Sequence, residues 1–434
     1  MKHKYEAFDL PENLMMGVAT AATQIEGGYQ DNNWYRWSEM GNIENKDHVK
    51  IACDHLNRIE TDTELLSQLH CDTYRLGLEW CRIEPKEGEF SQSGINLYRR
   101  ELELLREKGI RPLVTLWHFS NPLWMEDDGA WTNPKSIDRF LNYAKFVVQE
   151  LGDLVSDWIT FNEPNVYLTF GYFEGSWPPG KKGDIKSYFK AASHIIAAHL
   201  KAYPLLHKMS TDKIKVGVAH HLRIIDPYDS RWLTKKAIQL IDRLFQRMFL
   251  DAMTVGKFLL PLKNVLKAEF GTYVDFVGIN YYSRDIMKGV FNLSTLFGER
   301  LLKDGADTND LGWEIYPEGL SRICHDIYEA YQLPIYITEN GTCDSKDTFR
   351  SKFIYDHLKA LSQNVSEGVP IERYYHWTLC DNFEWVEGYN ARFGLFHNDF
   401  ETQKRSIRKS GSFYSEISKN KKIDLEMIKK YLDS

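Results

Sequence analysis

The sequence predicts an α/β fold, a single (β/α)8 or TIM barrel with long loops after the carboxyl ends of its strands. Eight short apolar segments alternate with longer segments in which apolar residues recur every three or four positions. This alternation is typical of parallel strands joined by right-handed crossovers, and eight such strands close a barrel. No Ser/Gly-rich linker or low-complexity tract divides the 434 residues, so we expect residues 1–434 to form one domain.

The eight predicted strands are rich in β-branched and aromatic residues, which favour extended structure. They cover residues 14–20, 72–80, 111–119, 157–164, 214–221, 276–283, 334–341 and 372–380. Segments such as 95–109 and 137–152 carry helical spacing and end in glycine, which predicts helices between the strands. The connections 21–60, 165–190 and 284–316 exceed an ordinary strand-to-helix loop, and loops of that length in a compact domain usually have a function.

Composition excludes several classes of partner. The formal net charge of −7 argues against a nucleic-acid backbone as ligand. The six cysteines form no CxxC pair, which favours reduced thiols in the cytoplasm over a disulfide framework or a metal site. Residues 1–14 lack the apolar core of a secretion signal, and no apolar run approaches the ~18 residues of a membrane span. We therefore expect a cytoplasmic protein without membrane contact, metal or cofactor. The sequence leaves open whether the protein forms a homo-oligomer.

Polar and aromatic residues gather where the predicted strands end. Because the loops after barrel strands build the active site at that face, these residues are candidates for function. They are Gln24, Glu26, Arg75, His118, Asn162, Glu163, His220, His221, Asn280, Tyr281, Tyr282, Glu339, Asn340, Trp377, Asp381, Asn382, Glu384 and Trp385. A barrel without a site would end its strands in ordinary turn formers, so this ring indicates a binding or catalytic centre.

Two carboxylates stand out in this ring, in the segments DWITFNEPNV (157–166) and PIYITENG (334–341). Pro164 disfavours the α region for Glu163, and we expect an extended backbone that fixes the direction of its side chain. Gly341 permits a tight exit after Glu339. Two rigidly aimed glutamates are what glycoside cleavage requires, one as acid and one as base or nucleophile. The alternative interpretation is that both form structural ion pairs with groups such as Arg75.

Six segments in the same order resemble family 1 of the glycoside hydrolases, the β-glucosidase family. They are LPENLMMGVATAATQIEGG (10–28), YRLGLEWCRIEP (74–85), TFNEP (160–164), ITENG (337–341), DNFEWVEGYNARFG (381–394) and QKRSIRKSGSFYSEI (403–417). The resemblance spans nearly the whole chain. It implies that residues 1–434 form a single glycoside hydrolase catalytic domain.

The resemblance implies retaining hydrolysis of terminal non-reducing β-D-glucosyl residues through a covalent glycosyl-enzyme. Glu339 would be the nucleophile and Glu163 the acid/base, with carboxyl groups ~5–5.5 Å apart. At that range the charge of Glu339 would raise the affinity of Glu163 for its proton. Arg75 and Tyr282 would keep Glu339 ionised and oriented, and Asn280 would support the pair.

Sugar recognition follows from the same resemblance. The residues that would hold the non-reducing sugar are Gln24, His118, Asn162, Tyr282, Trp377, Glu384 and Trp385. Asn162 would bind the 2-hydroxyl, and the two tryptophans would offer apolar faces to the ring. Trp313 falls where the family commonly places a wall for the aglycone. The implied partner is therefore a small β-glycoside.

Related activities stay open at this point, namely β-galactosidase, β-fucosidase or transglycosylase. A 6-phospho-β-glucosidase is less favoured, because relatives of that kind carry serine, lysine and tyrosine where this chain has Glu384, Ala391 and Phe393. A sugar-binding protein without activity would be expected to lack one of the two glutamates. Met16 and Thr23 replace a common tryptophan and tyrosine, which puts sugar preference in question and leaves the reaction type unchanged.

Overall fold

Eight parallel strands close into a barrel in the computed structural model, which describes residues 5–210 and 213–433. The strands are β1 Met15–Ala19, β2 Thr73–Gly77, β3 Arg111–Trp117, β4 Asp157–Asn162, β5 Lys215–Pro227, β6 Phe276–Gly289, β7 Ile335–Asn340 and β8 Ile371–Trp377. Each pairs in parallel with the next, and β8 pairs with β1 to complete the ring. The predicted (β/α)8 barrel is confirmed. Residues 1–4 of the predicted N-terminal segment, residues 211–212 and Ser434 lie outside the described residues.

One principal helix follows each strand and covers the barrel. The helices are α1 Ile59–Gln68, α2 Gln92–Glu107, α3 Ser136–Leu151, α4 Ile185–Met209, α5 Trp232–Asp242, α6 Glu318–Tyr331, α7 Arg350–Ser366 and α8 Lys409–Asn420, followed by a last helix, Leu425–Tyr431. A π-helical segment, Arg243–Arg247, joins α5 to a further helix, Met248–Val255. The predicted helix 95–109 begins earlier, at Gln92, because the Ser91 side chain accepts a hydrogen bond from Gly94 N and caps the first turn.

The barrel interior is filled by side chains that alternate between small and large. Phe276 and Tyr336 stack with ring centroids 3.9 Å apart, and both are fully buried beside Ala219. Gly217 makes room for them, because a Cβ at that position would lie 2.5 Å from the Phe276 ring. The interior is thus a packed core, and it supports the polar residues at the strand ends.

The long predicted loops contain more regular structure than the sequence indicates. β5 and β6 continue beyond the barrel as a two-stranded extension, and Gly298–Leu301 pairs antiparallel with the end of β6. Residues 284–316, predicted as loop, therefore include a hairpin. The segment 165–190 begins with the helical turns Pro164–Leu168 and Thr169–Glu174. Short helices within 21–60 are Ala22–Ile25, Asn33–Glu39, Glu44–Lys46 and His55–Asn57.

A buried ion cluster holds the first long loop against the barrel. His55 lies between Asp62, 2.9 Å from Nδ1, and Glu101, 3.1 Å from Nε2. Arg405 reaches Asp62 from the C-terminal part of the chain at 3.0 Å. Burial opposes the charge on His55, but Glu101 and Asp62 outweigh it and raise the pKa of His55 well above its usual value. The imidazolium thereby connects the loop to α1 and α2.

All six cysteines are buried and unpaired. Across residues 5–210 and 213–433, no helix combines the length and apolar character needed to span a bilayer. Location in the cytoplasm stays a prediction.

Candidate active site

Glu163 follows the last residue of β4, and its backbone has a strained conformation. Its N–H donates to Ala219 O on β5 at 2.8 Å, and Pro164 begins the next helical turn. The predicted extended backbone is wrong, because Glu163 has φ 43° and ψ 55°, the left-handed region. Proline disfavours only the right-handed α region for the preceding residue, and the left-handed conformation turns the chain directly from strand into helix. Holding a non-glycine residue there costs roughly 1–3 kcal/mol.

Glu339 lies within β7, opposite Asn280 of β6 in the strand register. The next residue, Asn340, donates from its amide to Tyr281 O at 2.8 Å and accepts from the Tyr374 hydroxyl at 2.9 Å. Gly341 follows because the chains approach closely there, and a Cβ would lie 2.0 Å from Trp377 O. The end of β7 is therefore held by both neighbouring strands, which fixes the position of the backbone that carries the Glu339 carboxylate.

One hydrogen-bonded network joins the two glutamates. Arg75, which has no exposed surface, donates to Glu339 Oε1 at 2.5 Å and to Asn162 Oδ1 at 2.7 Å. Asn280 donates from Nδ2 to that same Asn162 oxygen at 3.0 Å and to Glu163 Oε1 at 2.8 Å. Both glutamates are buried, 6% and 4% exposed. Side chains from β2, β4, β6 and β7 thus meet in a single cluster.

The environment of Glu339 acts on its charge in two directions. Burial is the largest effect and raises the pKa of Glu339 to about 7, with the nearby Glu163 acting in the same direction. The Arg75 guanidinium and the Tyr282 hydroxyl, 2.6 Å from Oε2, oppose this by stabilising the carboxylate. Burial and the charge of Glu163 together outweigh the two donors, so the pKa of Glu339 lies near neutral pH.

The network also fixes the protonation of His118. A guanidinium can only donate, so the Asn162 atom that contacts Arg75 must be the amide oxygen Oδ1. The amide nitrogen Nδ2 of Asn162 then faces His118 Nε2 at 2.9 Å. The ring accepts at Nε2 and must carry its proton on Nδ1, since burial and the charge of Arg75 lower the pKa of His118 well below its usual value. Nδ1 has no hydrogen-bond partner among the described residues. The site thus holds a buried N–H donor to which no side chain or backbone group of the described residues offers an acceptor.

Two tryptophans and a pair of polar groups line the same cluster. His118 lies beside Trp377 and Trp385, with ring centroids 6.1 and 5.9 Å away. Gln24 donates from Nε2 to Glu384 Oε2 at 3.3 Å, and its own Oε1 is buried without a partner in the described part of the chain. Burial raises the pKa of Glu384 well above its usual value. An unpaired buried polar atom costs about 1–3 kcal/mol, so a ligand hydroxyl at Gln24 would be stabilising.

The partly exposed ring of Trp313 forms an adjacent wall. It contacts Tyr282 edge-on with centroids 5.8 Å apart, and Phe393 at 6.1 Å. Ala391 and Phe393 are buried in the same apolar cluster. The structure therefore brings the residues implied for catalysis and sugar binding into one region, with Trp313 at its more open side. Two other strand-end candidates have structural partners instead: Glu26 pairs with Arg82, and Asp381 pairs with Arg408.

Comparison with known proteins identifies the family. The sequence pattern of Glycosyl hydrolase family 1 matches residues 6–423. This chain belongs to glycosyl hydrolase family 1. It is 33% identical to β-glucosidase A of Acetivibrio thermocellus, over 94% of this chain and 98% of that protein.

Solved structures of family 1 enzymes superimpose on the chain along its whole length. A β-glycosidase from Pyrococcus horikoshii is 34% identical, with a TM-score of 0.89 and 98% of both chains covered. A Thermotoga maritima family 1 glycoside hydrolase, in complex with a cyclophellitol analogue described as a transition-state mimic, gives a TM-score of 0.92 at 32% identity, over 97% of this chain and 100% of that one. The family resemblance seen in the sequence is thereby confirmed.

Two contacts of this family 1 site had no assigned role in the sequence. His221, which follows the barrel part of β5, lies 3.2 Å from Glu163 Oε1 through Nδ1; its only sequence signal was its place at a strand end. Thr23, one of the departures from the family pattern, donates to the buried Glu79 at 2.6 Å. Ser120 donates to the other oxygen of Glu79 at 2.6 Å, so Thr23 anchors the turn that carries Gln24.

Proposed function

We propose that the chain is a retaining β-glucosidase that hydrolyses terminal non-reducing β-D-glucosyl residues, and that residues 1–434 are its single catalytic domain. The observation that carries the proposal is the pair of buried glutamates, Glu163 and Glu339, in one hydrogen-bonded network at the ends of β4 and β7. The names of the relatives, β-glucosidase A from two bacteria, support glucose as the sugar.

In the first step, Glu339 attacks the anomeric carbon while Glu163 gives its proton to the glycosidic oxygen. The C1–O bond to the aglycone breaks, a C1–O bond to Glu339 forms, and the aglycone leaves as an alcohol. Arg75 and Tyr282 place two donors on Glu339, one of them a cation, whereas the described donors to Glu163 are neutral. We therefore assign the carboxylate role in this step to Glu339 and the role of proton donor to Glu163.

In the second step, Glu163 acts as base. Once Glu339 is esterified its negative charge is gone, and Glu163 is left as a carboxylate by the first step. It takes a proton from water as the water oxygen attacks the anomeric carbon, and the bond to Glu339 breaks. Two displacements at one carbon return the starting configuration, so the product is β-glucose.

The unpaired polar atoms of the cluster account for binding of the sugar. Gln24 Oε1 accepts from a hydroxyl and the Nδ1–H of His118 donates to one, while Glu384 accepts from neighbouring hydroxyls. Asn162 holds the 2-hydroxyl beside the reacting carbon. Trp377 and Trp385 cover the C–H face of the ring, and Trp313 contacts the aglycone.

The activity is tested with p-nitrophenyl β-D-glucoside, whose hydrolysis is followed by colour and whose first-formed anomer is read by proton NMR. We expect β-glucose as the initial product and lower kcat/KM for the galactoside, the fucoside and glucoside 6-phosphate. Initial release of α-glucose would contradict the retaining mechanism, and absence of release in the wild type would indicate a binding protein.

Glu384→Ser is expected to lower kcat/KM for p-nitrophenyl β-D-glucoside by about 10–100-fold, since it removes the carboxyl group proposed to bond two sugar hydroxyls, at about 0.5–1.5 kcal/mol for each hydrogen bond. The melting temperature should change little, because the Glu384 side chain is partly exposed and bonds to Gln24 and Trp377 at the site itself. Steady-state kinetics and thermal unfolding measure the two effects. Glu401→Ser, at an exposed glutamate in the turn before Lys404–Ile407, is the matched control. Unchanged kinetics in Glu384→Ser would remove this residue from the sugar site.

A further inference from the structure

The ring of His221 contacts Glu163 in a tautomer that a neighbouring cation determines. Arg223 donates from its guanidinium to His221 Nε2 at 3.1 Å. Because a guanidinium only donates, Nε2 must be an acceptor and the ring proton must be on Nδ1. Nδ1 lies 3.2 Å from Glu163 Oε1, so His221 is a neutral donor to that oxygen.

Arg223 is itself held in place. It donates from a second nitrogen to Asp285 Oδ2 at 2.7 Å, and Asp285 also pairs with Arg300 on the edge strand Gly298–Leu301. The backbone N–H of Arg223 donates to the Gln246 side chain at 2.6 Å. The cation therefore cannot leave His221 without breaking an ion pair on the extension of β5 and β6.

Packing fixes the plane of the imidazole. The ring lies nearly parallel to Tyr282, at 19° with centroids 6.1 Å apart, and edge-on to Phe245 at 6.0 Å. Tyr282 in turn donates to Glu339. His221 thus packs against a group that contacts the other carboxylate, and its orientation relative to Glu163 is set from two sides.

The donors divide the two oxygens of Glu163 into different roles. Asn280 Nδ2 at 2.8 Å and His221 Nδ1 at 3.2 Å both contact Oε1, and no residue in the described ranges donates to Oε2. An oxygen that accepts two N–H bonds is a poor site for a proton, whereas the other is free to carry it. We propose that His221, with its tautomer fixed by Arg223, is a positioning residue that reserves Glu163 Oε2 for the proton given to the leaving oxygen. This inference rests on the proposed acid/base role of Glu163.

Leaving-group dependence tests the proposal. 2,4-Dinitrophenol departs without protonation, whereas phenol needs the acid, so kcat/KM is measured for both β-D-glucosides. We expect His221→Leu to lower kcat/KM by about 10-fold or more for phenyl glucoside and by less than about 3-fold for the dinitrophenyl substrate. His221→Asn places an amide N–H where Nδ1 lies and should restore most of the loss. Arg223→Met, which frees the tautomer, should show a smaller loss in the same direction.

Glu163→Gln, measured with the same two substrates, separates this inference from the proposed function. If Glu163→Gln loses activity equally on both substrates, the acid role of Glu163 is wrong and the inference falls with it. The other contrary outcome is that Glu163→Gln lowers kcat/KM mainly on phenyl glucoside while His221→Leu and Arg223→Met lower kcat/KM equally on both substrates, or leave it unchanged on both. In that case His221 is a structural residue only. Circular dichroism of each variant ensures that the comparison is made on folded protein.

Discussion

Replacing the proposed nucleophile, Glu339→Gly, should abolish hydrolysis of p-nitrophenyl β-D-glucoside, with a loss on the order of 10⁴-fold or more, typical of removing a covalent catalyst. In the proposed mechanism this carboxylate forms the bond to the anomeric carbon, and the variant leaves Arg75 and Tyr282 without a carboxylate to orient. The variant also leaves a small space beside a cation, and azide is an anion that fits it. Added azide should therefore restore release of nitrophenol.

The stereochemistry of the rescued product identifies the role of Glu339. Azide in the place of the nucleophile attacks from the face opposite the aglycone and remains attached, so the product should be α-glucosyl azide, inverted relative to the substrate. Proton NMR of the product measures this. The β-azide would show that the enzyme still makes two displacements and that another residue is the nucleophile. Tyr282→Phe, which keeps the carboxylate and removes one donor, is the control and should retain hydrolysis without azide.

Replacing the proposed acid, Glu163→Gln, should lower kcat/KM by about 10²–10⁴-fold on phenyl β-D-glucoside, the range that general acid catalysis contributes. The loss on 2,4-dinitrophenyl β-D-glucoside should be much smaller, because that aglycone departs as an anion. Glutamine keeps the size of the side chain, so packing around Glu163 changes little. A plot of kcat/KM against leaving-group acidity, for wild type and variant, measures the effect, and equal slopes would contradict the acid assignment.

The same variant carries a pH signature. In the wild type, burial raises the pKa of Glu339 to about 7, and the nearby charge of Glu163 acts in the same direction. The proposed nucleophile must be a carboxylate to attack, so activity on the dinitrophenyl substrate should be present above a pH of about 7 and be lost as the pH falls through it. Glu163→Gln removes one of the groups that raise the pKa of Glu339, so a pH profile of kcat/KM should show this acid limb at lower pH in the variant.

Much of the site was predictable because a parallel barrel fixes where functional residues occur. Once eight strands are recognised by apolar segments, the residues at their carboxyl ends must face one mouth, and this brings Glu163 and Glu339 together without further information. The helices 95–109 and 137–152 were likewise predictable from helical spacing, to within a few residues at their ends.

Local rules failed where tertiary contacts override them. Proline after Glu163 disfavours the right-handed α region and does not decide between the extended and left-handed conformations. Glu163 adopts the left-handed conformation while its N–H donates to Ala219 O on β5. The strand extension and hairpin within 284–316 were equally hidden, because pairing at Ile286–Gly289 depends on a partner strand and only weakly on the local pattern.

The sequence alone determined the barrel, the family and the two carboxylates, since strand periodicity and short motifs are properties of contiguous residues. Only the tertiary structure decided which nitrogen of His118 and of His221 carries the proton, and which oxygen of Glu163 remains free. For His118 and Glu163 this depends on hydrogen bonds between residues distant in the chain, and for His221 on an arginine that Asp285 holds in place. Hydrogen bonds are directional, so protonation is set by the arrangement of the neighbouring groups and not by the residue types themselves.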